Sequence, residues 1–146
     1  MKLYTMGFTQ KSAEQFFYIV NKCNIDMLID IRLNNNSQLA GFTKGRDLDY
    51  FLGKICECKY YHAEDFTPTK QLLNDYKKGI VNWDEYVKCF NKLIDDRDMV
   101  NNFIKRFGKY DNVMLLCSEP TPEFCHRRLL SEAIAKLHSD IEIIHV

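Results

Sequence analysis

The run Val113-Met114-Leu115-Leu116, followed at once by Cys117, restricts the fold more than any other part of this chain. Four apolar residues in succession leave no polar face for water, so a strand built from them must be covered on both sides. Beyond it, Leu129, Leu130, Ile134 and Leu137 recur at helical spacing and read as the core side of a following helix. A doubly covered strand that leads into a helix is the unit of an α/β sheet, and such sheets bind ligands beyond the C-terminal ends of their strands. The turn from Cys117 to Arg128 is therefore where the sequence locates a site.

The rest of the chain repeats the alternation. Lys2 to Met6 reads as a strand turning at Gly7, and Ser12 with Gln15 forms a capping box that opens a helix with Phe16, Phe17, Val20 and Cys23 inward. Asp26 to Arg32 is a second strand. Residues 33–45, with three consecutive Asn and two Gly, read as a long loop of functional rather than merely connecting character. Arg46 to Cys56 is helical, with Leu48, Phe51, Leu52 and Ile55 on one side, and Lys59 to Ala63 is a third strand.

Pro68 opens a helix capped by Thr67 and stopped at Gly79. Asn82 caps another with Trp83, Tyr86, Val87, Phe90 and Leu93 inward, and Arg97 to Phe107 forms a third. Strands at 112–117 and 141–146 complete the pattern. The expectation is one α/β domain over residues 1–146: a mostly parallel sheet of about five strands, helices on both faces and right-handed crossovers.

Composition agrees with that class. The 146 residues are 46% hydrophobic and 13% aromatic, enough for a substantial core. Lys plus Arg and Asp plus Glu balance at 20 each, which argues against life by non-specific attraction to nucleic acid or anionic membrane. No apolar run approaches the ~18 to 20 residues that span a bilayer, and the start lacks a secretory apolar stretch, so a cytoplasmic protein without a membrane partner is expected. In a reducing cytosol the six cysteines are expected as thiols. Cys23 and Cys89 fall in helical apolar patterns and read as core. Cys56-Glu57-Cys58 straddles a helix-to-strand junction, a structural place.

In a parallel sheet the strand C-termini share one edge, so Gly7, Arg32, His62 and Cys117 are expected around one crevice, bordered by the loop from Asn34 to Gly45. Gly7 and Gly41 would admit close backbone approach of a ligand. Arg32 has two readings: a strand-end ion pair with Asp30, or ligand binding. In the C-terminal turn, Thr121-Pro122-Glu123 suits a helix cap and first turn, which sets Cys125 and His126 at the positive end of the helix. A thiol there, beside His126, Arg127 and Arg128, is favoured as thiolate, the competent nucleophile or metal ligand. Arg127 and Arg128 lie about 100° apart on a helix, so at most one points into the crevice.

Cys117, Glu119 and the Cys125-His126-Arg127 run carry a further implication. Together with Leu3-Tyr4-Thr5-Met6-Gly7-Phe8-Thr9, Asp30-Ile31-Arg32, Ser37-Gln38-Leu39-Ala40-Gly41-Phe42, Tyr61-His62, Pro68-Thr69-Lys70, Trp83-Asp84-Glu85-Tyr86 and Ile143-Ile144-His145, they resemble the bacterial and archaeal domain of unknown function 488 family over nearly the whole chain. After His62 this chain has Ala63-Glu64-Asp65-Phe66 where many members carry a Leu-Gly step. The resemblance implies a fold and a site location, and it favours the ligand-binding reading of Arg32. It implies no particular reaction.

Three functions fit these residues. The first is a cysteine-dependent enzyme in which Cys117 or Cys125 is the nucleophile, the other thiol its resolving partner, His126 the base or proton shuttle and Glu119 an acid/base or orienting group. Arg32 and Arg127, with Gly7, Gly41 and His62 around them, would bind an anionic substrate: a nucleotide, a nucleic acid, or a phosphorylated or carboxylated metabolite. The second is a zinc or iron–sulfur site built from Cys117, Cys125 and His126 with His62 as fourth ligand, a weaker reading because no Cys-x-x-Cys occurs. The third is a non-catalytic nucleic-acid-binding module using the arginines with Tyr60, Tyr61, Tyr76 and Tyr110, which the zero net charge disfavours. A fourth, purely structural reading has both thiols filling the strand–helix junction. The residues specify neither a cofactor nor an oligomeric state.

Overall fold

In order along the chain, the elements are β1 (Lys2–Gly7), α1 (Ala13–Lys22), β2 (Met27–Asp30), α2 (Gly45–Cys56), β3 (Lys59–His62), α3 (Lys70–Lys77), α4 (Trp83–Asp96), α5 (Met99–Phe107), β4 (Asn112–Cys117), α6 (His126–Leu137) and β5 (Glu142–His145). They come from a computed structural model that describes residues 1–36 and 40–146. The strands form one sheet in the order β3-β2-β4-β1-β5. Every pairing is parallel, so the expected α/β class holds and the sheet is wholly rather than mostly parallel. No described helix is long and apolar enough to cross a membrane.

Strand periodicity assigns each side chain to a face. Val113, Leu115 and Cys117 of β4 join the core under α3 to α6, with Ile29 of β2, Phe90 of α4, Phe103 of α5 and Leu130 of α6. Met114 and Leu116 turn to the opposite core, with Leu28, Phe16 and Val20 of α1, and Leu48 and Leu52 of α2. The apolar run of β4 is thus buried on both faces because helices lie on both.

Topology then makes the crevice. The connection leaving β2 turns to the α2 face, and the one leaving β4 turns to the α6 face, while β2 and β4 are neighbours. Adjacent strands whose connections diverge leave a gap beyond their C-terminal ends, the place where open α/β sheets bind ligands.

Local signals set most boundaries. Ser12 accepts from the Gln15 amide and Gln15 Oε1 accepts from the Ser12 amide, so the expected capping box forms. Asn82 caps α4 by accepting from the Glu85 amide. Thr67 does not cap α3, because its hydroxyl donates to the Glu64 carbonyl at 2.7 Å and closes a 3₁₀ turn over Glu64–Phe66; Thr69 caps instead. Arg97 closes α4 rather than opening α5, which starts after Asp98 in a left-handed conformation (φ 51°). The last helix begins at His126 and not near Thr121: residues 121–124 turn, and Cys125 itself is the N-cap. Of the expected core positions, Cys89 is exposed because the buried stripe of α4 runs through Tyr86, Phe90 and Ile94. Ile55 and Leu137 are exposed at their helix ends. All six cysteines are thiols.

The long loop is partly tied down. Phe42 packs edge-on against Phe16, with ring centroids 5.5 Å apart, and Thr43 is buried. Residues 37–39, which fall in the segment read above as a functional loop and carry part of the resemblance, lie outside the described residues.

Gly7, last in β1, is in register with Cys117, and a Cβ there would overlap the Glu119 carbonyl oxygen. The close approach that requires glycine is therefore to the backbone of the site turn. Gly7→Ala is expected to lower stability by about 1–3 kcal/mol, the usual cost of overpacking, and to shift the Glu119 turn. Urea midpoints of the two proteins measure it, and an unchanged midpoint would show that the turn yields freely.

Candidate functional site

Cys117 ends β4 on the α6 side, and α6 begins where the chain returns from the 118–124 turn. That return places Cys125 at the N-cap and His126 at the first helical position. All three side chains are buried, and their ligand-type atoms lie within 4.8 Å of one another. Among the described residues they are the one such cluster of metal-ligating groups. His126 Nε2 lies 2.8 Å from the Ile31 carbonyl oxygen. A carbonyl can only accept, so Nε2 carries a proton. The Cys117 sulfur lies nearly midway between the two ring nitrogens, 3.7 Å from Nδ1 and 3.9 Å from Nε2. The ring edge is fixed by Phe90, 5.3 Å away between centroids.

The two thiols are held in different states. Hydrogen bonding from Cys125 pulls the Cys117 thiol below the ordinary range against the opposing effect of burial, aided by the Ser118 amide, the charge of Arg127 and the Glu119 amide. The same bond to Cys117, with burial, pushes Cys125 upward. Both shifts favour the first negative charge of the pair on Cys117, with Cys125 keeping its proton. Tyr86, facing them, is pushed up by burial and then by the charges of Cys117 and Cys125.

Above the thiols lies a pocket of about 160 Å³. Cys117, Cys125 and His126 line it from β4 and α6, Arg32 to Asn34 from the segment after β2, and Tyr76, Lys77 and Tyr86 from α3 and α4. Phe124 stands at the edge, 56% exposed, its ring against that of Trp83. Glu119 is exposed and also lines the pocket. The sequence pattern did not mark Lys77 or Phe124. Phe124 carried a readable signal, a large apolar residue isolated in a polar turn, whereas Lys77 reaches the site only through the packing of α3.

Arg32 lines this pocket, yet its guanidinium is committed elsewhere. It donates to both Asp30 carboxylate oxygens, at 2.8 and 2.6 Å, and to the Thr43 carbonyl at 2.6 Å. Burial would push it down; the hydrogen bond and charge of Asp30 hold it up. Tyr60 completes the carboxylate's shell at 2.7 Å. Asp30 and Arg32 share the parity of Leu28, so the pair belongs to the α2 side of the sheet, opposite Cys117. His62 has the same parity, in register with Asp30, and its Nε2 bonds the Arg32 carbonyl. It is not part of the cysteine–histidine cluster.

Arg127 is wholly buried and does not line the pocket. Its Nη1 donates to the Glu119 carbonyl at 2.6 Å, the atom that packs on Gly7. It therefore pins the turn that carries Cys117. Arg128 takes the other direction, near the Trp83 ring and Glu132. Gly41 is exposed, with open space where a Cβ would be. The four tyrosines do not make one surface, since Tyr60 bonds Asp30, Tyr76 lines the pocket, Tyr61 packs on Phe107 and Tyr110 lies beside Lys59.

The chain belongs to the family described as Domain of unknown function DUF488, whose profile matches residues 12–134. That span runs from the cap of α1 into α6 and contains every residue that lines the pocket. Neither a search of curated proteins nor one of solved structures returned a match.

The Asp30–Arg32 pair supports a measurable expectation. Asp30→Ala leaves a buried guanidinium without its counter-charge and should cost about 3–5 kcal/mol. Urea unfolding reads the loss. A cost below about 1 kcal/mol, typical of surface pairs, would mean that water reaches Arg32.

Proposed function

We propose that this chain is a cysteine-dependent enzyme whose nucleophile is Cys117, acting on an anionic substrate held in the pocket beyond β2 and β4. The observation that carries this reading is the packing of Cys117, favoured as thiolate, against the His126 ring, 3.7 Å from Nδ1 and 3.9 Å from Nε2, both residues facing a pocket. His126 Nδ1 receives the thiol proton, and Cys125 steadies the thiolate by donation. Glu119, exposed beside the sulfur, is the acid/base or orienting group. The anionic part of the substrate meets Lys77 at the pocket edge. Arg32, engaged by Asp30 and Thr43, and Arg127, whose Nη1 is held on the Glu119 carbonyl, act by positioning. A nucleotide, a nucleic-acid end or a phosphorylated or carboxylated metabolite supplies such a group.

The same three side chains support a second reading, a metal centre. Two thiolates and one imidazole within 4.8 Å, with the histidine fixed by a carbonyl on its other nitrogen, suit zinc with its fourth position toward the pocket.

One experiment separates the readings: iodoacetamide labelling over a pH series, with peptide mapping, with and without chelator. For the enzyme reading, the Cys117 rate rises as pH climbs through a midpoint below the ~8.5 of a free thiol and then levels off. Cys56 and Cys58, pushed up by burial to about 11 and about 12, lag across the neutral range. Cys125→Ala, which removes the S–H donor, shifts the Cys117 midpoint upward. Protection that only a chelator lifts favours the metal centre. Should Cys117 react no faster than Cys58 in either condition, the nucleophile reading is lost.

A further inference from the structure

We propose that Cys117 and Cys125 form a two-thiol exchange centre whose substrate is a small organic disulfide, with one half seated in the pocket. The inference rests on the reading of Cys117 as nucleophile and adds the bond that it attacks.

Three observations lead to it. The first is what surrounds the nucleophile. The Ser118 and Glu119 amides, next along the chain, favour charge on the Cys117 sulfur, and the Arg127 donor nearest the turn is held on the Glu119 carbonyl. Attack on a carbonyl builds charge on oxygen and needs donors placed for that oxygen. Attack on a sulfur–sulfur bond builds none: the charge passes from one sulfur to another, and donors set around sulfur suffice.

The second is the other thiol. Cys125 is buried on the same face, within 4.8 Å of both Cys117 and His126. A single-thiol nucleophile can use a neighbouring S–H as a donor but does not need a second sulfur at that distance. An exchange reaction does. The remaining cysteines are kept apart: Cys58 is buried in the core on the other side of the sheet, Cys23 and Cys56 pack against that same core, and Cys89 is exposed.

The third is the wall of the pocket. Tyr76, Tyr86, Phe124 and Leu33 surround the thiols with aromatic and aliphatic surface. Sulfur makes favourable contacts with aromatic rings, and Lys77 at the pocket edge can meet an anionic group on either half of the disulfide.

The steps balance. The Cys117 thiolate attacks one sulfur of R–S–S–R′, forming Cys117–S–S–R and expelling R′–S⁻ into solvent. His126 Nδ1 gives the Cys117 proton to the departing R′–S⁻ and then takes the proton of Cys125, which leaves with the second thiol. The new thiolate attacks the Cys117 sulfur, forming the Cys117–Cys125 bond and expelling R–S⁻. The substrate gains two electrons and the dithiol loses two. Two molecules of a low-molecular-weight thiol restore the dithiol by the reverse exchanges and leave as their own disulfide.

Bis(2-hydroxyethyl) disulfide serves as the probe for the test, added to reduced, chelator-treated full-length protein, with acid quenching, maleimide capture of remaining thiols and mass mapping. The wild type is expected to lose two hydrogens, yield a bridged Cys117–Cys125 peptide and release two mercaptoethanols. Cys125→Ser should stall as a mixed disulfide on Cys117, and Cys117→Ser should react at least about tenfold more slowly, its remaining thiol lacking thiolate character. The bridge in the wild type does not depend on either variant folding. Two results overturn the inference while leaving Cys117 a nucleophile: a stable mixed disulfide on wild-type Cys117, or no exchange in protein whose Cys117 still alkylates rapidly. Failure of both exchange and alkylation at Cys117 removes the underlying reading as well.

Discussion

The hydrogen bond from His126 Nε2 to the Ile31 carbonyl crosses the gap at which the chain leaving β2 and the chain leaving β4 part to opposite faces of the sheet. Both ends of it are fixed by other structure. Ile31 donates its own amide to the Leu116 carbonyl, so the residue after β2 is tied to β4. His126 is the first residue of α6, whose Leu129, Leu130 and Ile134 are anchored in the core. The bond puts a proton on Nε2, fixes the ring beside Cys117 and holds the start of α6 over the end of the sheet.

Two buried arginines stand on either side of this junction, and both maintain backbone rather than bind from a distance. Arg32 joins the end of β2 to Thr43 and thereby closes the α2 side. Arg127 joins the start of α6 to the Glu119 carbonyl and thereby sets the turn after β4. A guanidinium suits this work because its planar fork addresses several acceptors at once and never loses its charge. Nε and Nη2 of Arg127 have no protein partner among the described residues, so its full charge acts on its neighbours. Cys117 is pulled down by it, and Lys11 and His145 are pushed down, after burial, by the same charge.

Much of this was legible in the sequence, and the reasons differ by feature. The apolar run of β4 demanded cover on both faces, and alternation supplied the parallel sheet. Caps at Ser12 and Asn82 were local chemistry and were readable as such. The site's place followed from the strand-to-helix turn. What escaped were properties set by competition or by distant packing. Thr67 and Thr69 are both competent caps, and only the 3₁₀ turn at Glu64 decides between them. Thr121 and Pro122 suit a helix start, but pinning of the Glu119 carbonyl by Arg127 and Gly7 delays the helix to His126. The allegiance of Arg32 was in fact readable. Asp30 and Arg32 share strand parity with Leu28, and Cys117 shares it with Leu115, on the other face. Tyr76, Lys77 and Tyr86 reach the pocket from a segment whose pattern reports only which side is buried.

A thiolate at the buried end of a doubly covered strand is a costly arrangement, and the pair of cysteines resolves it by dividing the work. Desolvation opposes charge on either sulfur. Concentrating one charge on Cys117 lets the Cys125 S–H, two amides and the field of Arg127 converge on it, while Cys125 stays neutral. The two thiols titrate as a unit, with one step displaced downward and one upward from the unfolded value. As pH rises from the lowered step toward the ~8.5 of an unfolded cysteine, the unfolded chain holds more protons, and stability increases. Above that value the folded pair retains a proton that the unfolded chain has shed, and stability declines toward the raised step. The contribution of this pair is therefore greatest near the ordinary thiol pKa, where the site holds a single negative charge. That singly charged state is also the one in which Cys117 can attack while Cys125 still has a proton for His126 to take.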